Sequence, residues 1–257
     1  MTNKYKIALS LLFVAIFAIL ISVFFFKKEK VYTSNEYNSK GQLIGVSEYV
    51  IRNNDTILNG KFVRYNEKGI KISEGQFLND EPYGKCFYYF NDGKIESIFY
   101  RKNSKVNLEC TYYDKSGLIN KYILCDDVGK TTFFIKFDEK VVKKYDGYAL
   151  LPLNQCKLDN GKQKAFTLKD TLKVGDVIKY DYILANIPYA KRTFKIESEA
   201  IDNSKRTITK KAPTRIIVEE VLTKKGLNRI KAITRYTFND KVTPVKNDTV
   251  SFDVNVR

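Results

Sequence analysis

The sequence predicts an all-β chain on one N-terminal transmembrane helix: an elongated antiparallel sheet of stacked β-hairpins, then a β-sandwich. Three observations carry this prediction. Residues 7–26 form an unbroken apolar run. Between residues 60 and 117 one aromatic-rich phrase returns every 24 residues, as GKFVRYNEKG (60–69), GKCFYYFNDG (84–93) and LECTYYDKSG (108–117). Beyond residue 150 that period stops, and apolar residues alternate with polar ones. A chain of 257 residues accommodates an anchor and two compact domains, here 1–30, 31–149 and 150–257.

The anchor reads IALSLLFVAIFAILISVFFF, twenty residues without a charge and with only Ser10 and Ser22 polar. At a rise of about 1.5 Å per residue such a helix spans a hydrocarbon core of about 30 Å. It ends in SVFFFKKEK, with no small-residue cleavage pattern and no cysteine nearby to accept a lipid, so it reads as an uncleaved signal anchor. Lysines flank both ends: Lys4 and Lys6 on one side, Lys27, Lys28 and Lys30 on the other. Charge alone therefore leaves orientation open. Long domains after such an anchor cross largely regardless of charge, which favours export.

The repeats follow. On the 24-residue period Gly60 aligns with Gly84, and Gly69 with Gly93 and Gly117, while Val141 stands in the fourth position. An earlier partial copy, EYNSKG (36–41), lies 28 residues before Gly69, so the stretch IRNNDT inserts four. Each unit reads as a hairpin: an aromatic strand, a turn such as NEKG or DKSG whose glycine supplies positive φ, and a return strand. A lone hairpin is marginal in water, so neighbours must share a face. Phe62, Cys86, Cys110 and Phe134 fall at one register position, which makes these cysteines small buried residues. Equivalent positions lie two strands apart, roughly 9–10 Å. A disulfide needs Cα atoms within about 7 Å, which argues against Cys86–Cys110. Pairings through Cys125 or Cys156 stay open.

The stretch GKFVRYNEKGIKISEGQFLNDEPYGKCFYYFNDGKIES resembles the bacterial variant of MORN repeats, in the glycine opening a strand, the aromatic before the turn, the turn glycine and the ND lead into the next copy. The resemblance covers about residues 32–148. It implies a β-hairpin repeat fold and a structural or interaction-mediating role; some bacterial members are described as antitoxins.

In the second domain DVIKYDYILAN sets Ile178, Tyr180, Tyr182 and Leu184 against Lys179 and Asp181, and TVSFDVNVR sets Val250, Phe252, Val254 and Val256 on one side. With RTFKIESEA, TRIIVEEVL and LNRIKAITRYTF between them, roughly seven strands in about 100 residues predict an antiparallel sandwich. The texture of LKVGDVIKYDYILANIP is similar to the opening strands of immunoglobulin-like domains of bacterial envelopes. That likeness concerns fold only.

Chemistry is sparse. The chain has no histidine, which removes the usual neutral-pH base and the commonest metal ligand. There is no phosphate-binding loop or nucleophile elbow, and Asp126–Asp127 reads as a turn. We therefore expect no enzyme activity, catalytic residue, cofactor or metal. Formal net charge is +16, with Lys plus Arg against Asp plus Glu at 19 to 16 over residues 30–149 and 22 to 12 over 150–257. Two clusters concentrate the excess: Lys205, Arg206, Lys210 and Lys211, and Lys224, Lys225, Arg229 and Lys231. They are candidate anion-binding residues for lipid headgroups or cell-wall polymer; a solvated surface is the plainer reading. No nucleic-acid partner is expected. Finally, DTI, DTL and DTV (55–57, 170–172 and 248–250) resemble the O-glycosylation motif of exported Bacteroidetes proteins, with Thr56, Thr171 and Thr249 as acceptors. The reading is a non-enzymatic, single-pass protein of a bacterial inner membrane, its domains periplasmic and binding another envelope protein. A cytoplasm-facing, antitoxin-like repeat protein is the alternative.

Overall fold

The computed structural model describes residues 29–167, 170, 172–198 and 205–257. The expected span 7–26 and Thr171 lie outside them. Among the described residues no helix is long and apolar enough to cross a membrane. The architecture is all-β and antiparallel.

Ten strands form one sheet in simple sequence order: β1 (Tyr32–Tyr37), β2 (Leu43–Arg52), β3 (Asp55–Tyr65), β4 (Lys71–Leu78), β5 (Glu81–Tyr89), β6 (Ile95–Arg101), β7 (Asn107–Tyr113), β8 (Ile119–Cys125), β9 (Thr131–Asp138) and β10 (Val141–Gly147). Two turn chemistries recur along it. In the glycine turns, as at Asn66–Gly69, the Gly69 N–H donates to the Asn66 carbonyl at 2.9 Å, and the Asn66 side chain accepts the Lys68 and Ile70 N–H groups at 3.0 Å. Asn38, Asp114 and Asp126 start equivalent turns. Asp126–Asp127 is thus part of a hairpin turn. At the other ends of the strands sit two-residue turns with positive φ at both positions, Asn53–Asn54 and Asn79–Asp80, where short polar side chains tolerate the left-handed region. The fourth copy lacks its glycine because Glu139–Lys140 makes a two-residue turn there, with φ of 46° and 77°. The four-residue insertion lengthens β2 and β3 to 10 and 11 residues rather than forming a loop.

One expectation is corrected. Gly60 and Gly84 do not open strands; each sits inside one, at a bulge. Pairing jumps from Ser47↔Phe62 to Tyr49↔Leu58 around Gly60, and from Glu74↔Phe87 to Gln76↔Tyr83 around Gly84. The extra residues are accommodated here by positive φ at the glycines, 128° and 71°. At Gly60 a Cβ would also collide with the Glu48 carboxylate, which accepts the Lys61 N–H at 2.7 Å.

Cross-strand register gives this sheet two distinct faces. On the first, Cys86, Phe99, Cys110, Ile123 and Phe134 follow one another across β5–β9. Small residues lie beneath large ones: a Cβ on Gly75 would stand 2.8 Å from the Cys86 Sγ and 2.9 Å from a Phe62 ring carbon. Cys86, Cys110, Cys125 and Cys156 are all buried and free. Burial pushes the Cys110 thiol up to about 12, aided by nearby Cys125, so it is not a nucleophile at neutral pH.

The remaining strands are β11 (Leu150–Asp159), β12 (Lys162–Ala165), β13 (Val177–Leu184), β14 (Ala190–Ser198), β15 (Arg206–Ala212), β16 (Arg215–Val221), β17 (Gly226–Phe238) and β18 (Lys246–Val256), eight where about seven were expected. They form a five-stranded sheet, β12-β11-β13-β16-β15, and a three-stranded one, β14-β17-β18. Alternate residues face inward and meet in one core, with Ile178, Tyr180, Tyr182 and Val218 from the first sheet against Ile230, Ala232, Val254 and Val256 from the second. Inside it the Arg206 guanidinium pairs with Glu220, whose side chain is fully buried. Burial raises the Glu220 carboxyl above its usual range, against the pull of Arg206.

A second core joins the two parts. Tyr122, Leu124, Phe133, Ile135 and Phe137 from the second face of the ten-stranded sheet pack against Ile183, Ala185, Ile187, Tyr236 and Phe238. Polar contacts frame it. The Tyr236 hydroxyl donates to the Ala185 carbonyl at 3.0 Å, the Ala149 N–H donates to Asp248 at 2.7 Å, and the Ile119 N–H to the Tyr189 hydroxyl at 2.9 Å. The angle between the two parts is therefore fixed by an apolar junction rather than left to a linker.

Candidate functional site

The face that enters the junction continues beyond it. Register carries one row from Val46 through Val63, Glu74, Phe87, Ile98 and Thr111 to Tyr122 and Ile135. Tyr122 and Ile135 lie under the sandwich, and Ile98 and Tyr100 of β6 face its β15–β16 turn; over the outer part of β4 and β5 no described residue covers the same face. There Ile72, Leu78 and Tyr83 keep 36%, 47% and 43% of their surface exposed. Uncovered apolar side chains beside a packed junction mark a contact surface more than isolated exposed residues do.

Where sheet and sandwich meet, the surface deepens into a cleft of about 340 Å³. Its floor is Tyr100, Leu108, Leu153 and Ile183, and the β15–β16 turn overhangs it with Lys211, Ala212 and Thr214. Lys102 and Lys211 stand at this rim, and Lys85 and Lys210 at the adjoining cavity. Of these charges, Lys102 donates to the Asp127 carbonyl at 3.0 Å, and Arg215, also lining the cleft, is held by the Asp181 carboxylate. An apolar floor under a cationic rim fits a partner that offers hydrophobic contact ringed by carboxylates.

At the back of the adjoining cavity Glu109 accepts the Tyr122 hydroxyl at 2.6 Å and the Asn186 amide at 2.9 Å. Burial raises its carboxyl, offset in part by these hydrogen bonds and by Arg192. The neutral acid is thus favoured by the fold. Its contribution is complete below the unfolded carboxyl value, near 4.5, and is lost as pH rises through the raised native value. Glu109→Gln keeps an acceptor for both donors without the charge. The variant is expected to be at least as stable as the parent at pH 8 and to lose the decline between pH 5 and 8 that Glu109 causes, read from urea midpoints across that range.

The candidate anion-binding residues do not form one site. Arg206 is corrected outright: its side chain keeps only 9% of its surface exposed, pairs with Glu220 and donates to the Ile196 carbonyl at 2.9 Å, so it is structural. Lys210 and Lys211 reach the cleft rim. Lys205 precedes β15, and Lys224 and Lys225 precede β17, at the opposite end of the sandwich. Arg229 and Lys231 alternate with buried residues on the exposed side of β17, where Arg229 engages Asp253 at 2.8 Å. Sequence proximity misled here because consecutive strands of a sandwich pass between sheets. Thr56 and Thr249 are exposed on β3 and β18, while Asp248 beside Thr249 serves the junction. Among the described residues no group of three His, Cys, Asp or Glu side chains could hold a metal ion.

No family model matches the chain, and no curated protein matches it. Among solved structures, "Crystal structure of the S-layer protein SbsC domains 4 and 5" aligns with a TM-score of 0.22 at 10% identity, covering 88% of this chain and 97% of that one. "Structure of surface layer protein SbsC, domains 1-6" aligns with a TM-score of 0.24 at 8% identity, covering 89% and 35%. At such scores nothing about fold or function follows.

Proposed function

We infer that the protein is a non-enzymatic, membrane-anchored envelope protein that binds an acidic partner protein in the angle between its two parts. The exposed apolar face of β4 and β5, running into a cleft with a lysine rim, is the observation that carries this reading. The apolar segment 7–26 supports the anchor, and the exposed threonines of two DT-aliphatic triplets support a periplasmic location. The glycine turns of the ten-stranded sheet, repeating at 24 residues, support a MORN-like repeat. The order β11-β13-β16-β15 facing β14-β17-β18 supports an immunoglobulin-like reading of the sandwich, in which strands A-B-E-D face C-F-G, with β12 added at one edge.

A photo-crosslinking residue at Leu78 in the full chain, in cells, tests the surface. The expected result is one discrete crosslinked species, abolished by Lys210→Glu with Lys211→Glu. A control residue at Thr237, exposed on the sandwich, should give none. Crosslinking no stronger at Leu78 than at Thr237, or insensitive to the charge reversal, would overturn the reading.

A further inference from the structure

The first face of the ten-stranded sheet carries an arrangement that sheets normally avoid. Lys121 on β8 pairs directly with Lys136 on β9, and Lys136 pairs directly with Lys144 on β10. Like charges opposite one another in a ladder are destabilising. Lys143, the extra residue of the β10 bulge, lines the same shallow depression. Among the described residues none of the four forms an ion pair; Asp138 and Asp146 lie two residues along the strands from Lys136 and Lys144, on the same face. Lys121 and Lys144 lie instead over aromatic rings, 5.4 Å from the Tyr112 centroid and 5.8 Å from that of Phe134. The opposite side of these strands is the buried junction, so the ladder stands on the most firmly packed part of the sheet.

We propose that this ladder binds an acidic polysaccharide that carries a carboxylate on successive sugar rings. The three lysines are set one strand apart, so their backbone positions repeat at about 4.8 Å, close to the length of one sugar ring. The row then continues from Lys121 to Tyr112, whose ring neighbours Phe99 at 5.6 Å, giving apolar faces on which sugar rings can lie. The depression is extended and none of its lining residues is aliphatic, although Val141, 42% exposed, lies on the same face of β10. Unoccupied, the ladder repels itself; a polyanion along it relieves three cations at once. The site is on the opposite face from the partner surface inferred above and shares with that reading only the export of the domains.

The experiment uses the full chain in phosphatidylcholine nanodiscs and polygalacturonate as the probe, with neutral dextran and phosphatidylglycerol vesicles for comparison. Salt-sensitive binding of polygalacturonate and none of dextran is expected. Lys136→Glu should weaken it ~30-fold or more, because it places a carboxylate between the two remaining cations. The same change turns two like-charge pairs into opposite-charge pairs, so its melting temperature should equal or exceed the parent's. Lys224→Glu with Lys225→Glu, at the far end of the sandwich, should stay within ~2-fold. Parent-like affinity of Lys136→Glu, equal retention of dextran, or displacement of the probe by phosphatidylglycerol vesicles at lower charge concentration would each overturn the proposal; the last would mark a lipid site.

Discussion

Replacing Phe133 with alanine is expected to lower the stability of the full chain by about 3–5 kcal/mol, the range for deleting a buried aromatic ring. Phe133 is completely buried and sits between Leu124 on β8 and the sandwich loops. The void would open at the junction itself, so both parts should respond. In the parent, urea unfolding followed by backbone circular dichroism should match that followed by tyrosine fluorescence. In Phe133→Ala the midpoint should fall and the two probes should separate. An unchanged midpoint would mean that the junction contributes little, and that the angle forming the cleft is not fixed.

A loss of similar size is expected at the other core. Arg206→Met leaves Glu220 buried without its cation, which costs about 3–5 kcal/mol at neutral pH. Because burial already raises the Glu220 carboxyl, protonation can remove the charge. The deficit should therefore shrink as pH falls towards the ordinary carboxyl range, where the uncharged side chain needs no partner. Arg206→Met with Glu220→Leu should recover most of the loss, since apolar replacement of both members of a buried pair is often neutral or better. Denaturation midpoints of the parent and the two variants at pH 5 and pH 8 give the test. A single variant whose deficit does not change with pH would contradict the assignment of Arg206 as the structural partner of Glu220.

Much of the fold was legible because its signals are local. A glycine that must adopt positive φ leaves a fixed mark, and Gly69, Gly93 and Gly117 place three hairpin turns from sequence alone. Alternation placed Tyr180, Tyr182, Val254 and Val256 in one core for the same reason. The misses depend on what lies opposite. Gly60 and Gly84 belong to bulges, and a bulge is defined by the partner strand as much as by its own residues. The junction left one sign: in TTFFIKF both faces of the strand are apolar, with Phe134 on one side and Phe133, Ile135 and Phe137 on the other. Only the Phe133, Ile135 and Phe137 side is buried, and the extra apolar residues on that side mark the junction, which the repeat reading alone did not supply. Lys121, Lys136 and Lys144 are far apart in sequence, and the near-balance of charge over residues 30–149 concealed them; only register brings them into one row. Arg206 failed in the opposite sense, since a charge that looks exposed in a basic run is buried by the acid across the strand.

The reading of the protein as an exported binding module is tested most directly by thiol labelling of Lys68→Cys, in the exposed Asn66–Gly69 turn. The four native cysteines are buried, so an impermeant maleimide should report the new thiol alone. Labelling in spheroplasts with an intact inner membrane, unchanged by lysis, is the predicted result. Labelling only after the inner membrane is opened would contradict the account: the domains would face the cytoplasm, the glycosylation sites would lose their meaning, and the antitoxin-like alternative would take precedence.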